Sequence, residues 1–159
     1  MSRKAGAEPI AVLLDSTYLL PAFGISVRGL DEGDLLTLRD LAIRGLIKLY
    51  YSPISWLEVI PKVAREAKKK RIELGPEEVL ETISAFADAS YIDELLPDTP
   101  AYSLAYSLRL LGRRDMIDNI LYATATSKST MFLTIDRKLL EFVWQHGIRE
   151  PRYLTITRL

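Results

Sequence analysis

Ile10-Ala11-Val12-Leu13-Leu14-Asp15-Ser16-Thr17 is the stretch that decides how this chain folds. Five apolar residues in a row are too few for a helix of their own, and they leave no polar face. Such a run fits a strand covered on both sides, as the strands of parallel sheets are. It stops on an acid, Asp15, followed by two hydroxyls. In open parallel sheets ligands bind beyond the carboxyl ends of the strands, which makes an acid at that position a candidate for chemistry.

The same grammar recurs on either side of later apolar runs. Leu46 to Tyr51 reads as a second strand, Tyr91 to about Leu96 as a third, Met131 to Thr134 as a fourth and Tyr153 to Ile156 as a last one. Helical patterns fill the gaps. A short helix runs through Leu19 and Leu20. Asp31 caps the next, with Asp34 in its first turn, inward-facing Leu35, Leu38 and Ala42, and a stop near Gly45. After Ser52-Pro53 a helix carries Trp56, Leu57, Val59 and Val63, and Pro61 is expected to kink or break it. Gly75-Pro76 starts a helix that buries Val79, Ile83 and Phe86. Thr99 is expected to cap a helix with Pro100 at its first position and a Leu104-Leu108-Leu111 stripe. Two more helices complete the pattern, one bearing Asp118 and one over Arg137 to Gln145. Strands that alternate with helices predict an α/β fold with a mainly parallel sheet. At 159 residues the chain suits one core. Residues 1–9 are expected to form a short flexible tail and residues 10–159 a single domain.

Composition removes several function classes. There is no cysteine, which excludes disulfides, thiolate zinc sites and a cysteine nucleophile. One histidine, His146, excludes a multi-histidine metal site and is expected to be a polar residue near the end of a late helix. Twenty-one basic side chains balance 21 acidic ones, which argues against a nonspecific nucleic-acid coat but allows a locally basic groove. No run approaches the roughly 18 apolar residues of a membrane span, so no membrane association and a cytoplasmic location are expected. The dinucleotide fingerprint, the phosphate-binding P-loop and the G-x-S-x-G elbow are all absent.

Four acids sit where strands stop or helices start: Asp15, Glu58, Asp118 and Asp136. Each has a bland reading. Asp15 and Asp136 can cap the helices after them, Glu58 is three residues after Ser55, and Asp118 is three after Asp115, the capping-box spacing. Taken together they converge if the strands lie side by side. Gathered carboxylates repel, and a divalent cation is the natural compensating charge, which points to phosphodiester chemistry. Asp115 is a fifth candidate, one helical turn from Asp118. Ser16 and Thr134 can orient carboxylates from a second layer. Small residues after Asp118, in Ile120-Leu121-Tyr122-Ala123-Thr124-Ala125, are expected to let that helix pack closely on the sheet.

Four segments in order carry a family resemblance: Val12-Leu13-Leu14-Asp15-Ser16-Thr17, Ser52-Pro53-Ile54-Ser55-Trp56-Leu57-Glu58-Val59, Asp118-Asn119-Ile120-Leu121-Tyr122-Ala123-Thr124-Ala125 and Phe132-Leu133-Thr134-Ile135-Asp136. This arrangement resembles a PIN domain over nearly the whole chain from Ile10 onward. The resemblance implies a three-layer α/β/α sandwich and a metal-dependent ribonuclease. It further implies an RNA substrate, Mg2+ or Mn2+ as cofactor and, for VapC-type toxins, a homodimer paired with a small antitoxin. Position by position it places the acidic site on Asp15, Glu58, Asp118 and Asp136. Asp15 and Asp118 are expected to hold the principal ion, with Asp136 and Glu58 completing the site directly or through water.

An acidic site needs help to attract RNA. Lys62, Arg65, Lys68, Lys69, Lys70 and Arg71 are one candidate basic flank; Arg113, Arg114, Arg137 and Lys138 are a more local one. The bland reading of residues 62–71 is a solvated helix end, where cations are favoured. Tyr102 and Tyr106, a helical pair, suit packing or a subunit interface better than base stacking. Two other functions compete: a catalytically weak PIN-like module that binds RNA or protein, and a phosphatase with Asp15 as nucleophile. Thr17 stands where such phosphatases normally have a second aspartate, which weakens the last reading.

Overall fold

The structure is a computed structural model and describes residues 6–148. The strand expected at Tyr153 to Ile156 lies outside the described residues. Among the described residues four strands form one sheet: β1 (Ile10–Leu14), β2 (Ile47–Tyr51), β3 (Ile92–Glu94) and β4 (Met131–Leu133). Every pairing is parallel, and the order is β3-β2-β1-β4. The chain therefore winds outward from β1 through β2 to β3, then returns to the other side of β1 to lay down β4. That reversal puts the crevice of the sheet at the carboxyl ends of β1 and β4, beside Asp15.

Six α-helices among the described residues cover the two faces: α1 (Glu32–Ile43), α2 (Trp56–Lys68), α3 (Pro76–Asp88), α4 (Thr99–Leu110), α5 (Met116–Ser127) and α6 (Arg137–Gln145). A 3-10 helix over Ser16–Phe23 comes directly after β1. The alternation of β1 divides the core. Val12 and Leu14 face the layer of the 3-10 helix, α1, α2 and α3, where they join Leu19, Leu38, Val59 and Val63. Leu13 faces the opposite layer and packs with Leu108 of α4, Leu121 and Tyr122 of α5, and Leu139 and Val143 of α6. Val12 and Leu13 are both fully buried, so β1 is apolar on both faces because both faces are covered. Burying each such side chain contributes about 1.5–3 kcal/mol. The result is a three-layer α/β/α sandwich.

Local rules explain where the helices begin and end. Asp31 accepts from the Asp34 N–H at 2.9 Å while Asp34 accepts from the Asp31 N–H at 3.0 Å, a reciprocal cap for α1. After α1, Gly45 adopts φ 72°, and the Leu46 N–H reaches back to the Leu41 carbonyl. A side chain at that left-handed position would strain the turn into β2.

Several expectations need correction. Pro61 does not break α2, which runs unbroken from Trp56 to Lys68. Its missing N–H leaves the Leu57 carbonyl without a helical partner, but Leu57 and Pro61 both lie on the exposed side, where water can take that role. The cap of α4 is Asp98, not Thr99; its side chain accepts from the Ala101 N–H and from the Ser127 hydroxyl, tying α4 to α5. Pro100 is therefore the second helical residue. Leu111 is not part of the inner stripe of α4 but is exposed at its end. Val79, Ile83 and Phe86 of α3 are only half-buried, because α3 packs at the rim of its layer. Finally, Ala123 packs on Ala101 and Ala105 of α4 instead of on the sheet, so the small residues of α5 serve helix–helix contact as well.

Candidate functional site

Asp15 directly follows β1 and is 3% exposed. Its own N–H continues the ladder to the Leu133 carbonyl at 2.9 Å, which fixes the backbone at the β1–β4 seam. Although it stands at the N-cap position of the 3-10 helix, its side chain makes no capping bond. The carboxylate is instead held by hydroxyls. Thr134 Oγ1 donates to Oδ2 at 2.6 Å, and the same hydroxyl accepts from the Asp136 N–H at 3.0 Å. The Thr134 proton is thus committed to Asp15, and one residue links the ends of β1 and β4 to the start of α6.

Glu58 lies in the first turn of α2. The spacing from Ser55 suggests a capping box, but Ser55 is helical and its buried hydroxyl has no partner among the described residues. Glu58 turns toward the site. Ser16 Oγ donates to its Oε2 at 2.5 Å and stands 3.4 Å from Asp15 Oδ1, so one hydroxyl spans the two acids. Lys62, one turn along α2, forms an ion pair with the other Glu58 oxygen.

Asp118 and Asp136 meet through an arginine. Arg113 Nη2 donates to Asp118 Oδ2 at 3.0 Å and to Asp136 Oδ2 at 3.1 Å. Asp136 is also a true cap: its Oδ1 accepts from the Lys138 and Leu139 N–H groups. Its two oxygens therefore do different work, one starting α6 and one facing the site. Asp115 is the cap of α5, accepts from the Asp118 N–H at 3.1 Å and is exposed.

The charges of these residues feel one another. Burial pushes the Asp15 carboxyl up to about 6, against the stabilising Thr134 bond and with help from Glu58 and Asp136. Burial also pushes Asp118 up to about 8, assisted by Asp15, Asp115 and Glu58 and opposed by Arg113. Of the four negative charges, Lys62 and Arg113 answer two. The remaining pair is desolvated and repulsive, which favours either protons or an added cation. An oxygen-only donor set of this kind fits Mg2+ or Mn2+ in chemistry. It does not yet fit in arrangement: among the described residues no group of three or more acidic or histidine side chains is disposed to hold an ion as it stands. Hydroxyls and cations of the protein occupy the carboxylate oxygens instead.

Arg113 and Lys62 pair with the acids, whereas the sequence suggests phosphate contacts for both. The Lys62 pair is discernible from sequence, because Glu-to-Lys at a spacing of four is a helical ion pair. The Arg113 pair is not, since its meeting with Asp136 depends on β4 lying beside β1. The rest of the basic run is placed as a helix end. Lys68, Lys69 and Lys70 are exposed, Lys70 closes the helix in the left-handed region at φ 55°, and Arg71 pairs with Glu66. At about 1.5 Å per residue that end lies roughly 15 Å from Glu58. His146 is exposed at the end of α6 and bonds to the Phe142 carbonyl. Tyr102 and Tyr106 are exposed on α4. A cavity of about 630 Å3 lies elsewhere, among Tyr18, Ile25, Leu35, Leu38 and Phe86, and none of the four acids lines it.

Fold and crevice together define a three-layer α/β/α sandwich with a wholly parallel sheet, whose carboxyl edge carries clustered acids. The crystal structure of FitAcB from Neisseria gonorrhoeae is similar, with a TM-score of 0.54 over 93% of this chain and 99% of that chain, at 16% identity. A likeness at that identity speaks to the fold alone. No family model matches the sequence, and no curated protein matches it. Among the described residues no helix is long and apolar enough to cross a membrane.

Proposed function

We propose that this protein is a metal-dependent endoribonuclease of the PIN type, with Asp15, Glu58, Asp118 and Asp136 as its acidic site and Mg2+ or Mn2+ as cofactor. The observation that carries the reading is that Asp15 and Asp118, on different elements, are both desolvated carboxylates pressed further by neighbouring acids, Asp15 by Glu58 and Asp136 and Asp118 by Asp15, with only an arginine, shared between Asp118 and Asp136, as counter-charge among the described residues. When bound, the cation supplies a Lewis acid for phosphodiester hydrolysis. The chain supplies the rest. Thr134 and Ser16 aim the carboxylates of Asp15 and Glu58, the buried end of β1 excludes bulk water, and Arg114, Arg137 and Lys138 are exposed beside the acids to receive phosphates. As part of the same reading, the exposed apolar face of α4, with Tyr102, Tyr106 and Leu110, suits a homodimer contact. A small antitoxin is the partner this reading gives the protein in the cell.

The test is cleavage of single-stranded RNA in the presence of Mn2+. Wild type should cut, and Asp15→Asn and Asp118→Asn should each lose at least about 100-fold in rate, as loss of a stabilising group at the reacting centre does. Undiminished cutting in both variants removes this site from consideration. One observation favours a second reading, a catalytically weak RNA- or protein-binding module: Lys62 and Arg113 already pair with three of the acids. RNA binding that persists without cleavage, at any Mn2+ or Mg2+ concentration, decides for it.

A further inference from the structure

Arg113 is the buried charge that the nuclease reading leaves without a role, and a role for it at the acidic site rests on that reading. Its side chain is 12% exposed. The backbone is pinned at both ends: its N–H bonds to the Leu108 carbonyl at 3.1 Å, and its carbonyl accepts from Asn119 Nδ2 at 3.0 Å. The guanidinium, by contrast, is poorly served. Arginine binds a carboxylate best through two parallel bonds. Here a single nitrogen reaches one oxygen of each of two acids, and Nε is buried with no partner among the described residues. A buried donor left unmet is costly, so this pose is one the side chain can leave without great loss.

We propose that Arg113 is a built-in counter-ion that spans Asp118 and Asp136 while no divalent cation is present and swings out of the gap when one binds. Both contestants draw on the same two Oδ2 atoms. A divalent ion bound at about 2.1 Å and a guanidinium at 3.0 Å from one oxygen stand at most about 5 Å apart, close enough to repel strongly in a desolvated crevice. The ion brings twice the charge at a shorter distance and wins once its concentration suffices. The arginine keeps the acids from flying apart in its absence, and its backbone anchors let the side chain return. Cation affinity is thereby set by a competitor within the chain, and the displaced guanidinium is left free beside the crevice, where an RNA phosphate would meet it.

Calorimetric titration of Mn2+ into the full-length protein tests this. Arg113→Met should bind Mn2+ about tenfold more tightly than wild type. Arg109→Met, which removes the same charge from an exposed position in the last turn of α4, should bind as wild type does. Equal or weaker binding by Arg113→Met overturns the proposal, and so does an equal gain in both variants, which would reflect net charge alone. Should Arg113→Met fail to fold, wild type suffices. Its Arg113 Nε–H resonance should move and lose protection from solvent exchange as Mg2+ is added, and a resonance unchanged at saturation overturns the proposal. Wild type that binds neither ion sinks the metal-dependent reading and this inference together, whereas binding that ignores Arg113 sinks only the latter.

Discussion

At the scale of single residues, the site is governed by hydroxyls. Thr134 uses both halves of its hydroxyl, donating to Asp15 and accepting from Asp136 N–H. Thr134→Val should therefore leave a buried carboxylate oxygen unpaired and cost roughly 1–3 kcal/mol at neutral pH. Thr134→Ser should cost much less. The difference should shrink as pH falls below about 6, where the Asp15 carboxyl takes up a proton and its need for a donor eases. Urea denaturation of both variants at two pH values measures this; equal losses for Ser and Val would show that the methyl group, not the hydroxyl, is what matters. Of the proposed site residues, Asp15 and Asp136 are legible from their places at strand ends. The ambiguity for each acid is whether it merely caps a helix. Asp15 makes no capping bond, Asp136 caps and faces the site at once, and Asp115 caps α5 while its charge bears on Asp118. A sequence cannot separate those outcomes, because they depend on which of two oxygens points where.

At the scale of elements, periodicity makes the strands and helices readable, and the departures have local causes. Runs such as Ala11 to Leu14 admit few alternatives once both faces are apolar. The cap of α4 falls one residue early because Asp98 also gains the Ser127 hydroxyl, a tertiary bond invisible in the local pattern. Pro61 shows that a proline can sit in a helix when the carbonyl it orphans faces water. Pro61→Ala restores an N–H within reach of Leu57 and should raise stability, by up to about 3 kcal/mol from helix propensity, less the freedom returned to the unfolded chain. Cleavage should not change, since Glu58 lies upstream and is held by Ser16 and Lys62. A lower urea midpoint would mean that the turn around residue 61 relies on the ring itself.

At the scale of the whole molecule, the acids make stability depend on pH in an unusual direction. The folded state holds protons on Asp15 and Asp118 more tightly than the unfolded chain does, with folded values of about 6 and about 8 against 3.8. Where the folded state binds more protons, stability falls as pH rises. This contribution is fully present below about pH 4 and is lost as pH climbs past both values. In EDTA, melting temperature should decline from about pH 5 to about pH 8.5. Asp118→Asn should flatten that decline, and Mg2+ should do so in wild type. A melting temperature that rises across the same range would mean that the two carboxyls are not desolvated as described. The order β3-β2-β1-β4 has one more result. β4 is laid against β1 only after β2, β3 and α1 to α5 have been made, and Arg113, Asp118, Thr134 and Asp136 all follow β3. Contacts between such distant segments close slowly. If this protein cuts RNA, a nascent chain that stops short of β4 carries no finished blade: the cutting edge is forged only when β4 closes on β1.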